Sequence, residues 1–220
     1  DKYNNLNLPI TFEYKAKFDG EGGAFFCTDS DFNASENNYF GYMMYMTPSE
    51  IGAMYGDGGF AGGHRRTGRA YVDLDTDTWY SVKVIIKGAQ DFTFYINDQL
   101  QESNYHDGGQ GGSVQSNQYP MTLGGVNIGN NQTEYFKGGI EYLKIWDSEF
   151  TDNESHLIGS WSAQSSSSDI LFDHSENQNH GTIYGAQWVE SSFDDNDYET
   201  DEEIDSDTED GTNYAIHFDY

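Results

Sequence analysis

Three arginines, Arg65, Arg66 and Arg69, fall within five residues of one another beside His64, and the chain holds no others. A guanidinium offers a planar fork of donors that matches a carboxylate, so such a cluster can take an acidic group on a glycan or the acidic segment of a neighbouring unit. It can equally pair with local aspartates such as Asp73 or Asp75. The stretch Gly56-Asp57-Gly58-Gly59 just before it reads as a turn, which sets the cluster in a glycine-rich loop. A second constellation lies near the C-terminus, where Asp205, Asp207, Glu209 and Asp210 precede Gly211. Alternating carboxylates ahead of a glycine turn can converge on one hard cation, and calcium suits an all-oxygen set, whereas zinc would ask for His or Cys. Asp173 with Asn177 and Asn179 is a further candidate for calcium, and reads as well as an Asx-rich turn.

Catalytic patterns are missing. The six histidines show no HExxH spacing, no Gly-x-Ser-x-Gly elbow or phosphate loop occurs, and Glu203 and Asp205 sit in a charged run with no apolar strand to raise an acid's pKa. We therefore expect no enzyme and assign no catalytic residue. Tyr39, Tyr42, Tyr105, Tyr119 and Tyr135, read as loop residues, could stack on sugar rings, although 16% aromatic residues would put some there by chance. Three sequons, at Asn33, Asn131 and Asn153, mark surface loops if the host glycosylates.

The elements that must position these residues read as strands. Ile10, Phe12, Tyr14, Ala16 and Phe18 alternate with Thr11, Glu13, Lys15 and Lys17, the period of a half-buried strand. Further strands are predicted near 24–28, 39–46, 51–55, 79–87, 92–96, 126–128 and 140–146, separated by Gly, Asn and Asp clusters. Asn97-Asp98 between two such runs predicts a tight hairpin. With 17 Tyr and 14 Phe and no helical periodicity, the chain is expected to be all-β, an antiparallel two-sheet sandwich or a barrel. A net charge of −28 disfavours nucleic acid and anionic membranes as partners. No apolar run is long enough for a spanning helix, so membrane insertion is not expected. After Lys144 there are 20 acids and no Lys or Arg, and residues 190–210 hold 12 acids in 21 positions. Such a block reads as a solvated spacer unless a cation gathers it. The lone Cys27 lies in an apolar run and forms no intrachain disulfide.

Four blocks carry a resemblance: Trp79 to Gly88, Phe92 to Asp98, Asn127-Ile128-Gly129, and Phe136 to Asp147. In order and spacing they are similar to the laminin G-like, concanavalin A-like jelly roll of bacterial surface proteins, across residues 8–154. Asp98 stands for a usual turn glycine and Glu141 for a usual aspartate. Related domains also show a similar arginine pair, which favours a structural role for the cluster. Beyond it, Leu157 to Trp161 and Phe172 to Ala186 resemble a segment that follows one jelly roll in tandem arrays, with Glu176 and Gln178 in place of glycines. The resemblance implies a jelly roll at 1–154, a continuation at 155–189, an acidic connector at 190–213 and a terminal strand at 214–220. Tyr214, Ala215, Ile216, His217 and Phe218 look like the family's first strand placed last, so that strand completes either its own sheet or a neighbour's. On this basis the chain is expected to be a non-enzymatic, calcium-stabilised adhesion or structural module at the cell surface or outside the cell. Its partners would be further copies of itself, as repeats or fibre subunits. The alternatives are a stand-alone carbohydrate-binding module and a polysaccharide-degrading enzyme.

Overall fold

In the computed structural model, residues 7–29, 38–60, 62–106, 108, 113–116, 119–129, 132–149, 151, 153–162, 169–191 and 213–219 are described. Among them the strands in chain order are β1 (Ile10–Phe18), β2 (Gly23–Cys27), β3 (Tyr42–Met46), β4 (Glu50–Gly56), β5 (Arg65–Tyr71), β6 (Tyr80–Gly88), β7 (Asp91–Ile96), β8 (Gln99–Gln101) and β9 (Ser103–His106). They continue with β10 (Thr122–Leu123), β11 (Gly125–Gly129), β12 (Gln132–Tyr135), β13 (Gly138–Trp146), β14 (Leu157–Ser162), β15 (Ile170–Leu171), β16 (Gly181–Thr182), β17 (Gln187–Ser191) and β18 (Asn213–Phe218). Two single turns of 3-10 helix, at Gly62–His64 and Glu154–His156, are the helical structure among the described residues. No helix among them is long and apolar enough to cross a membrane.

Two antiparallel sheets make the sandwich. One has the order β17-β18-β13-β1-β6-β7-β8 with β14 also on β13, and the other the order β10-β2-β3-β4-β5-β9. The period-two pattern of β1 works as its sequence predicts: Ile10, Phe12, Tyr14, Ala16 and Phe18 are fully buried. Phe12 meets Phe26 and Tyr42 of the opposite sheet at ring distances of 5.5 and 5.4 Å, and Tyr14 meets Phe25 at 4.7 Å. Tilted aromatic pairs of this kind add to the burial of apolar area that holds the sheets together. Tyr42 is thus a core residue and not a loop stacker. Its strand starts later than its sequence suggests because Gly41 takes φ +64°, where a side chain would press on Thr28 and Asp29. The β7–β8 hairpin forms as expected, with Asn97 and Asp98 both at positive φ, so aspartate tolerates the turn where the family carries glycine.

The segment after Glu154 is built into the same sheets. β14 pairs with the second half of β13, from Tyr142↔Ser162 to Trp146↔Leu157, while β18 takes the first half, from Gly138↔Phe218 to Ile140↔Ile216. The C-terminal strand therefore enters the sheet of its own chain. β17 then pairs outside β18, and Ser191 faces Asn213 across one rung. The acidic stretch between them lies outside the described residues, but both its ends are held by adjacent antiparallel strands.

Candidate functional site

The strands of the six-stranded sheet bury more than one face. β3 is Tyr-Met-Met-Tyr-Met, buried at all five positions, although only Tyr42, Met44 and Met46 point into the sandwich. Met43 and Tyr45 belong to a second apolar cluster on the outer side, with Ala24, Cys27, Tyr39 and Val126, and Met54 packed against it. An antiparallel sheet with one free face normally alternates apolar and polar residues, so an apolar outer face signals that something covers it. Part of the cover is the chain itself. The rest is open as a groove of about 610 Å³, floored by Met43, Tyr45 and Met54 and walled by Arg65 and Arg69 on one side and by Gly22–Ala24 and Tyr135 on the other.

Local sequence explains the shape. Tyr45 pairs with Gly52, and a Cβ at Gly52 would lie 2.1 Å from the Tyr45 ring, so glycine lets the tyrosine lie flat across the sheet. Arg69 follows on the same row, opposite Gly52 on β5, and its Nη1 donates to Glu50 Oε2 at 3.1 Å. Burial pushes the Tyr45 phenol up, the Arg69 charge opposes this, and Glu50, to which Tyr45 is hydrogen bonded, adds to the rise. The phenol is therefore a neutral donor at any ordinary pH. At the far end the Arg65 guanidinium lies 5.0 Å over the Tyr39 ring, a cation–π contact. Two donors on the β5 wall, Thr67 Oγ1 and Arg69 Nε, are buried without a hydrogen-bond partner among the described residues. Tyr135 is 54% exposed at the groove, and Tyr71, on the face of β5 that carries Arg69, is 61% exposed.

The arginine cluster is not in a loop, as its glycine-rich surroundings suggest, but on β5, and strand alternation splits it. Arg65 and Arg69 face outward into the groove. Arg66 faces inward beside Tyr55, is 4% exposed, and donates from Nη1 to Asp57 Oδ2 at 2.8 Å. The same carboxylate takes His64 Nδ1 at 2.8 Å and the Gly59 amide at 3.1 Å. The structural partners are thus Asp57 for Arg66 and Glu50 for Arg69. They are not the sequence-adjacent Asp73 or Asp75, because cross-strand neighbours are nearer in space than the next turn.

Asp173 is buried, with Oδ1 accepting the amides of Ser160 at 2.8 Å and Ser175 at 3.0 Å and Oδ2 that of Asn179 at 2.8 Å. Asn177 Nδ2 donates to the Ile158 carbonyl at 2.8 Å, and the Asn179 carbonyl accepts Trp161 Nε1 at 3.0 Å. This trio builds the Asx turn that ties β14 to the following segment. Gln178 in that turn stands at φ +50°, a conformation that glycine would adopt more easily. No group of three His, Cys, Asp or Glu that could hold a metal ion occurs among the described residues. Asp205, Asp207, Glu209 and Asp210 lie outside them, as do Asn33 and Asn131. Asn153 caps the second 3-10 turn, accepting the Ser155 amide at 3.1 Å. Tyr105 packs against the core residue Phe92 at 6.2 Å with the rings tilted by 53°, on the inner side of its sheet. Tyr119 is exposed and is not among the groove residues.

Residues 5–154 match the concanavalin A-like lectin/glucanases superfamily in its laminin G form, and the chain belongs to that family. No curated protein matches the chain in sequence. Among solved structures, a candidate carbohydrate binding protein from Bacteroides ovatus is similar, with 12% identity and a TM-score of 0.53 over 79% of this chain and 53% of that one. The chain thus spans about half the length of that protein. The CBM40 of the Ruminococcus gnavus IT-sialidase, bound to α2,3-sialyllactose, is similar with 16% identity and a TM-score of 0.47, over 70% of this chain and 82% of that one. The CBM66 module from Bacillus subtilis is similar with 21% identity and a TM-score of 0.32, over 49% and 63%. At these identities the likeness is one of fold.

Proposed function

We propose that the chain is a non-catalytic carbohydrate-binding module, working outside the cell, and that the outer groove of the six-stranded sheet is its site. The observation that carries this reading is the pairing of an apolar, aromatic floor with polar walls in one open trough. Tyr45 and the two methionines offer a surface for the apolar faces of sugar rings, and Arg65, Arg69, Glu50 and the Tyr45 hydroxyl offer directional partners for ring hydroxyls. The candidate carbohydrate binding protein from Bacteroides ovatus, similar in fold, lends support. Glu50 is engaged by Arg69 and Tyr45, which suits a binding residue better than a general acid. Adhesion through sugars at a cell surface is compatible with this role. A fibre built by strand donation has less in its favour, since β18 is already seated in its own sheet.

A glycan array followed by titration calorimetry tests the reading. The wild-type chain is expected to bind, and Arg69→Ala and Tyr45→Ala to weaken binding at least tenfold while keeping the β-sheet circular dichroism. A folded wild type that captures no glycan on the array would refute the proposal.

A further inference from the structure

The register of β4 and β5 gives the groove a length. Thr47 and Glu50 line one end and Tyr39 and Arg65 the other. On β4 the first end is marked by Glu50, paired with Tyr71, and the second by Gly56, paired with Arg65. Six residue steps along the strand separate them, about 20 Å at ~3.4 Å per step. The lining of the groove is thus strung out along β4 rather than gathered round one point, a trough rather than a bowl. Its polar groups do not converge on one point. Glu50 and Arg69 stand toward one end and Arg65 toward the other, with the apolar Met43 and Met54 between them. Arg65 and Arg69 lie four residues apart on one strand face, so their backbones are about 13 Å apart along the wall. Beside Glu50, on the same rung and the same sheet face, the exposed ring of Tyr71 flanks that end.

A single terminal sugar would be gripped by groups gathered around one ring, and one ring leaves most of this length empty. From these features, and resting on the carbohydrate reading above, we infer that the groove takes an internal stretch of a linear glycan, several rings long, lying parallel to β4. Its middle rings cover Met43 and Met54 while its two ends meet the Tyr39–Arg65 pair and the Glu50–Arg69 pair.

The test is a chain-length series by calorimetry, using cello-, xylo-, manno- and galacturonate oligosaccharides of one to six units. Affinity is expected to climb at least thirtyfold between the disaccharide and the longest member of the series that binds. Arg65→Gln and Glu50→Gln, at opposite ends, should each weaken the hexasaccharide about three- to tenfold, and no disaccharide should respond to both substitutions. Thermal melts confirm that each variant is folded. A disaccharide that binds within twofold of its hexasaccharide would overturn the extended-chain inference and leave the carbohydrate reading standing. No binding by any of the four series would count against both.

Discussion

Replacing residues 192–212 by a four-residue turn tests how the C-terminal strand is held. Ser191 and Asn213 face each other on neighbouring antiparallel strands, so the 21 residues between them close a loop and need not span any distance. Loop-closure entropy scales as (3/2)RT ln n, so going from 21 residues to four relieves about 1.5 kcal/mol. The replacement also removes eleven carboxylates whose mutual repulsion opposes bringing the ends together. For a domain of this size, about 1.5 kcal/mol corresponds to a rise in Tm of roughly 3–6 °C. Differential scanning calorimetry reads the shift, and light scattering reads the mass. If β18 belongs in its own sheet, the shortened chain stays monomeric and melts higher. If β18 belongs to a neighbour, four residues cannot carry it there, and the variant would melt lower or aggregate through the exposed places of Ala215, Ile216 and Phe218. That second result would refute the reasoning.

The split of the arginine cluster predicts opposite phenotypes for adjacent residues. Arg66→Ala leaves Asp57 short of its buried partner and should cost about 3 kcal/mol in urea unfolding, while Arg65→Ala should change stability by less than about 1 kcal/mol and act on binding. Glu141, half-buried and 3.4 Å from Lys15, has its carboxyl raised above the usual range because burial outweighs the lysine. A folded acid with a raised pKa holds its proton longer than the unfolded one, so this group's contribution to stability falls as pH rises through the carboxylate range. In Glu141→Gln that component of the pH dependence should vanish from the Tm profile. With Asp173 filled by three backbone amides, calcium is expected to raise the Tm of the full chain and not that of the short-loop variant; equal shifts in both would place the ion outside the acidic stretch.

How much was legible in the sequence depended on whether one face or two decided an element. β1 announces itself because its inner face is fully buried while its outer face, after the buried Thr11, carries the partly exposed Glu13, Lys15 and Lys17. β5 does not, because Arg-Arg-Thr-Gly-Arg has no apolar content; its inward places are filled by Arg66, neutralised by Asp57, by Gly68, which leaves room for the Phe92 ring, and by the small Ala70. Tertiary pairing with β4 and β9 overrides a composition that looks like a turn. The terminal strand was visible as a strand, yet its destination was not, since six residues carry no record of which edge they join. The groove went unseen because its lining comes from stretches far apart in the chain. One signal was available: the uninterrupted Tyr42–Met46 run, too apolar for a strand with a free side.

The two outer faces of the sandwich make the final point. On the eight-stranded sheet, the outward residues of β1 and β6 form cross-strand ion pairs, Glu13 with Lys83 at 3.2 Å, and Lys15 reaches Glu141. Such a face is charged along most of its length and, the half-buried Glu141 apart, stays in water at little cost. The outer face of the six-stranded sheet is its opposite, with methionine and tyrosine where charges would keep it soluble, and polar groups confined to the margins. The chain itself covers most of that apolar surface, leaving Met43 6% and Tyr45 8% exposed, and what the groove leaves open is unfavourable by about 25 cal/mol for each Å² in water. A chain carrying 38 acidic residues has no shortage of charge to place there. An apolar floor kept along an open groove, with Gly52 leaving room for the Tyr45 ring, is better explained by a ligand that completes its cover than by stability, and this asymmetry favours the groove as the site over either the charged face or the acidic stretch.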